Sequence, residues 1–91
     1  MQSAQAGTFE SSDILILVEP VSEKSGRIIE LNSSVETQYG EQILNDITQV
    51  LDRLEVKDIH IIARDKGALT PTIQARVETA IKRAIANQGE K

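Results

Sequence analysis

Two adjacent hydroxyls, Ser11 and Ser12, and the carboxylate of Asp13 stand directly before Ile14-Leu15-Ile16-Leu17-Val18, the most apolar run of the 91-residue chain. Residues at the mouth of a rigid strand are well placed for chemistry, because the strand fixes them while the loop leaves them accessible. A hydrolytic serine would need a base aimed at it, and the one imidazole, His60, falls in the middle of another expected strand. Cysteine is absent, so no disulfide, thiolate nucleophile or thiolate metal site can come from this polypeptide, and sulfur chemistry would need a thiol supplied from outside. A single histidine argues against a zinc site. Lys66-Gly67 lacks the flanking pattern of a phosphate-binding loop, and the 14 acidic residues are spread too evenly to single out a catalytic pair. An independent catalyst is not indicated. By themselves, Ser11, Ser12 and Asp13 read as a turn leading into a strand.

Composition narrows the field further. A net charge of −4 and a pI near 4.9 leave no basic face to collect phosphates, so nucleic acid is not an expected partner. Phe9 and Tyr39 are the two aromatics, too few for a base-stacking platform. No apolar run is long enough to span a membrane, and residues 1–6 have neither the charge nor the apolar core of a signal peptide. A cytoplasmic protein with no membrane partner is expected. The length suits one small domain burying roughly 60% of its unfolded surface. Its expected limits are 7–88, with flexible segments at 1–6 and 89–91.

These residues need elements to position them. Residues 13–19 form the first expected strand, apolar on both faces and so suited to a central place covered on two sides. Residues 21–26, with Pro20 before them, read as a hairpin loop, and 27–31 as a shorter, more polar edge strand. Ser33 and Glu36 have the spacing of a capping box. Behind them Val35, Tyr39, Ile43, Ile47, Leu51 and Leu54, widened by Leu44 and Val50, predict an amphipathic helix over 34–54, with Gly40 inside it. Residues 58–64 predict a third strand with Ile59, Ile61 and Ala63 inward, and His60 outward without a role. Asp65 to Leu69 reads as a turn using Gly67. Thr70 as N-cap and Pro71 as first helical residue open a second helix, along which Ile73, Val77, Ile81 and Ile85 share a stripe with Ala80 and Ala84. The order β-β-α-β-α predicts an α+β two-layer sandwich. Its small mixed three-stranded sheet, order 2-1-3, would carry both helices on one face, with strands two and three parallel through a right-handed crossover. The uncovered face of strand one then points to another protein as its cover.

A small, acidic, cysteine-free chain could carry a tethered thiol. Ordinary acyl carriers are helical bundles with serine after aspartate, and neither that pair nor that fold is found here. However, residues 7–13 (Gly-Thr-Phe-Glu-Ser-Ser-Asp), 32–40 (Asn-Ser-Ser-Val-Glu-Thr-Gln-Tyr-Gly) and 65–69 (Asp-Lys-Gly-Ala-Leu) resemble, in order, three signature blocks of the citrate lyase acyl carrier protein, the gamma chain of that complex. Arg76, Val77 and Glu78 fit its last helix, and the similarity runs from about Gly7 to Ala86. Phe9 stands where the family more often has leucine, Tyr39 where it has phenylalanine, and Thr70 where it has aspartate.

The resemblance implies a non-catalytic carrier holding 2'-(5''-phosphoribosyl)-3'-dephospho-CoA, attached to serine through a phosphodiester by a prosthetic-group transferase. That serine maps onto Ser11. Ser12 falls where relatives can have glycine and is the weaker candidate. The cofactor thiol would carry acetyl or citryl between the alpha (acyl transferase) and beta (citryl lyase) subunits, gaining effective concentration from its tether. Repulsion by the acidic surface favours an extended arm. The rival expectation is an α+β interaction subunit of an assembly, without covalent modification. Whether the acyl group is citryl or citramalyl, and what Asp65 and Lys66 do beyond a turn, stays open at this point.

Overall fold

The computed structural model describes residues 2–33 and 39–88. Six elements follow in order: β1 (Ala4–Gly7), β2 (Ile14–Glu19), β3 (Arg27–Ser33), α1 (Gly40–Arg53), β4 (Ile59–Asp65) and α2 (Thr70–Gln88). The strands form one mixed sheet in the order β1-β2-β4-β3. β2 is antiparallel to β1 and β4, while β3 is parallel to β4. α2 packs over β1 and β2, α1 lies by β3, and the helices touch each other. This is the expected α+β sandwich with both helices on one face.

Alternation decides which side of the sheet the helices cover. Ile14, Ile16 and Val18 of β2 and Ile59, Ile61 and Ala63 of β4 are all fully buried, against Ile47, Val50 and Leu51 of α1 and Val77, Ala80, Ile81 and Ala84 of α2. Leu15, Leu17 and Ile62 point the other way and stay half-buried, so the face without cover is the one bearing the leucines.

The sheet differs from expectation in two respects. Ala4–Gly7 is an edge strand, where a segment free of the sheet was expected. Its Ala6 is 3% exposed, and the weak signal reflects a lack of β-branched residues. The order 2-1-3 is also corrected, because β4 rather than β3 lies beside β2. The core-facing residues of β4 are fully buried, whereas Ile29 and Leu31 of β3 are only partly so, so burial is served by β4 inside and β3 at the edge. Residues 21–26 therefore do not close a hairpin. They carry the chain past the start of β4, where the Gly26 N–H donates to Asp58 (2.8 Å) and the Ile59 N–H to the Gly26 carbonyl (3.0 Å).

The helices differ in phase and ends. Steps of four drift by about 40° each, so Ile85 has left the seam (52% exposed) and Ala84 has entered it, while Leu44 does not widen the α1 stripe. The Ile73 N–H donates to the Leu69 carbonyl at 2.9 Å, which makes Leu69 the N-cap by geometry. The Thr70 hydroxyl instead donates to Asp46 of α1 (2.8 Å). Gly40 opens α1 rather than interrupting it, and a Cβ there would meet Leu31 Cδ2 only at 3.9 Å. α1 ends in a Schellman pair, Val56 N–H to Leu51 C=O and Glu55 N–H to Asp52 C=O, with Glu55 left-handed at φ 58. Residues 34–38, which carry Glu36 of the capping box and the expected first turn of the helix, and residues 89–91 lie outside the described residues.

Candidate functional site

Glu10-Ser11-Ser12-Asp13 is a β-turn closed by the Asp13 N–H donating to the Glu10 carbonyl at 3.1 Å. Ser11 is its second residue and is exposed. Ser12 is third, with φ 64, a left-handed conformation that explains why glycine suits this position. Two bonds continue the β2–β4 ladder beyond its last registered pair, Ile14 with Asp65. The Lys66 N–H donates to the Asp13 carbonyl (2.9 Å), and the Ser12 N–H donates to the Lys66 carbonyl (2.7 Å). Ser11 thus rides on the ends of the two interior strands, which is why it is fixed yet exposed.

Asp13 holds the turn from inside. Its carboxylate accepts from the Thr8 hydroxyl and its own neighbour's Ile14 N–H, both at 2.7 Å. Arg76 of α2 closes on it as a fork, Nε on Oδ1 and Nη2 on Oδ2, both at 3.1 Å. The Arg76 hydrogen bond, against an opposing effect of burial, lowers the Asp13 pKa to about 2. Such a carboxylate is a weak base at neutral pH, so Asp13 is a structural anion rather than an activator of Ser11. Gly7 lets the chain turn into this loop: its φ is 93, and a Cβ would lie 1.9 Å from the Ile14 carbonyl oxygen.

The other side of the turn is shaped by Asp65, which is 2% exposed. It accepts from the Gly67 and Ala68 N–H groups, each at 3.0 Å, and from the Ser33 hydroxyl at 3.1 Å. Asp65 is therefore the residue that folds the 65–69 turn. The Lys66 ammonium lies 4.9 Å from the centre of the Phe9 ring. His60 pairs with Glu30 at 2.6 Å near the far end of β4 from Ser11, opposite Glu19. No imidazole lies beside the serines.

A cleft of about 530 Å³ opens between the starts of α1 and α2, lined among others by Tyr39, Ile43, Asp46, Asp65, Leu69 and Ile73. Among the described residues no buried side-chain nitrogen or oxygen lacks a partner, and no helix is long and apolar enough to cross a membrane.

Sequence reasoning located Ser11, Ser12 and Asp13, and the structure brings Asp65 and Lys66 to them. It missed Arg76 as the partner of Asp13 and Phe9 as the seat of Lys66. Arg76 is 63 positions away from Asp13, so no local pattern joins them, and Arg76 entered the reading only through the family's last helix.

The sequence profile of the family described as ACP, malonate decarboxylase delta subunit (MdcD), matches residues 1–84. The citrate lyase acyl carrier protein of Halothermothrix orenii is 46% identical over 83 residues, covering 91% of this chain and 86% of that one. The protein of the same name from Streptococcus mutans is 49% identical over 83 residues, covering 91% and 80%. A Pseudomonas malonate decarboxylase hetero-tetramer, solved in complex with malonate, contains a chain that superposes with a TM-score of 0.65 at 21% identity, covering 91% of this chain and 84% of that one. That likeness is one of fold.

Proposed function

The chain belongs to the family of acyl carrier proteins of citrate lyase and malonate decarboxylase, and we propose that it is the acyl carrier subunit of a citrate lyase complex, with Ser11 as the residue that bears its arm. The observation that carries the assignment to Ser11 is its place: an exposed hydroxyl on a turn built from the ends of two buried strands. Ser12, by contrast, is committed to the left-handed corner of the same turn. The group proposed is phosphoribosyl-dephospho-CoA, which supplies, once attached, the thiol that a cysteine-free chain lacks and carries acetyl or citryl as a thioester.

The chain's own contribution is positional. Asp13, Arg76 and Thr8 hold the turn, and the exposed hydroxyl of Ser11 stays open to a prosthetic-group transferase. A tethered acyl group then reaches the alpha (acyl transferase) and beta (citryl lyase) subunits at high effective concentration. No residue of this chain is assigned a catalytic part.

The half-buried Leu15, Leu17 and Ile62 on the open sheet face favour a second reading, an interaction subunit that is never modified. One measurement separates the two: intact mass of the protein produced together with its modifying enzymes. The carrier reading expects a mass increase that Ser11→Ala abolishes and Ser12→Ala retains. No increase in the unaltered chain overturns it in favour of the second reading, and an increase that survives Ser11→Ala overturns the choice of serine.

A further inference from the structure

Lys66 lies against the turn that carries Ser11 and, among the described residues, forms no ion pair. Lys66 is bonded through its backbone to Ser12 and Asp13, and its ammonium rests over the ring of Phe9. Phe9 and Ser12, on either side of the Glu10-Ser11 pair, are thus both in contact with Lys66. Arg27, Arg53, Arg76 and Lys82 each pair with a carboxylate. Among the described residues no carboxylate lies within ion-pairing distance of Lys66, a trait it shares with Lys24, Lys57, Arg64 and Arg83; what sets Lys66 apart is its contact with the Ser11 turn.

We propose that Lys66 is a phosphate-binding residue, its ammonium pairing with the phosphodiester that joins Ser11 to its arm. This rests on the reading of Ser11 as the attachment residue. A phosphodiester keeps one negative charge and unprotonated acceptor oxygens at neutral pH, and an ammonium offers it three donors as a compact point charge. The Phe9 ring holds that ammonium by its quadrupole without neutralising it, so pairing with an anion breaks no existing ion pair. Arg76 does not compete for the role, because its fork is filled by Asp13. The pairing fixes the root of the arm on the Lys66 side of the turn and leaves the rest of the arm free.

Trace labelling with acetic anhydride, followed by peptide mass spectrometry, compares Lys66 in the unmodified and the modified protein, with Lys24 and Lys57 as internal references. Lys66 reactivity is expected to fall by about threefold on modification, the population effect of one exposed charge pair. It is expected to recover in ~1 M salt, where the screening length shrinks to about 3 Å. Shielding by mere bulk would not recover. In the modified protein, Lys66→Gln is expected to move the phosphodiester phosphorus resonance and Lys66→Arg to leave it near its original position. Equal Lys66 reactivity in both forms, or a resonance indifferent to Lys66→Gln, overturns the phosphate-binding role while the carrier reading stands. A chain that is never modified overturns both.

Discussion

At Ser12 the backbone is held at φ 64, a conformation that costs a residue with a Cβ roughly 1–2 kcal/mol. Glycine avoids that cost but gives back about 0.5–1 kcal/mol through the larger entropy of its unfolded chain. Ser12→Gly is therefore expected to raise stability by roughly 0.5–1 kcal/mol, read as a higher urea midpoint at unchanged slope, while leaving the Ser11 hydroxyl available. A lower midpoint would mean that the serine makes a contribution the turn geometry does not reveal. Next to it, Asp13 couples the turn to pH. Its pKa falls from 3.8 to about 2 on folding, so its stabilisation is complete above about pH 4 and is lost as the pH drops toward 2. The Asp13 side chain is 14% exposed and the Arg76 side chain 40%, so solvent screening reduces the contribution to about 1–2 kcal/mol. Arg76→Met should cost that much at pH 7 and flatten the fall in stability between pH 4 and 2. Urea titrations across that range read both effects, and parallel acid limbs for the two proteins would remove Arg76 as their cause.

Among the elements, β1 shows how a weak strand is held. It has four residues, Ala-Gln-Ala-Gly, and ends at Gly7, whose φ of 93 and closeness to the Ile14 carbonyl leave no room for a side chain. Gly7→Ala would force the end of β1 off β2 and loosen the Thr8–Asp13 contact behind it. A loss of about 2–4 kcal/mol is expected, in the range of strained-backbone substitutions. Hydrogen exchange should show the loss first in the amides of β1 and the 8–13 turn, and uniform exposure of β4 as well would point to global unfolding instead. The same element shows where sequence reasoning reaches its limit. β2 announced itself because five successive apolar residues have few other homes, and β4 because Ile59, Ile61 and Ala63 alternate. The inward Ala4 and Ala6 of β1 carry the same alternation, but with side chains too small to register. Strand order was less legible still. The polarity of β3 announced the edge place that it has, but nothing within β4 states that it lies between β2 and β3, since that depends on how much of each is buried once both helices are in place. The turn at Ser11 was visible from composition, whereas the Arg76 clamp and the Lys66–Phe9 contact exist only because the fold brings α2 and the 65–69 turn to it.

For the whole molecule, the question is how a small acidic body treats a polyanionic arm. The described residues form a sheet with helices on one side, and the chain carries a net charge of −4. The cleft between the two helix starts is lined partly by the carboxylates of Asp46 and Asp65, both already bonded, to Thr70 and to the 65–69 turn respectively. A phosphate entering there would meet the like charge of both carboxylates, at distances well within the ~10 Å screening length of 0.1 M salt. Beyond a root held at Lys66, the arm should therefore extend into solvent, where both partner active sites can engage it. The thiol of the isolated modified protein is then expected to react with a neutral thiol reagent at roughly the rate of free coenzyme A, since nothing on an acidic surface recruits it. Stopped-flow measurement at low and high salt reads this directly. A thiol strongly shielded at low salt would show that the cleft or the open sheet face accepts the arm despite its charge. Shielding that appears only at high salt would show instead that repulsion alone had kept it out.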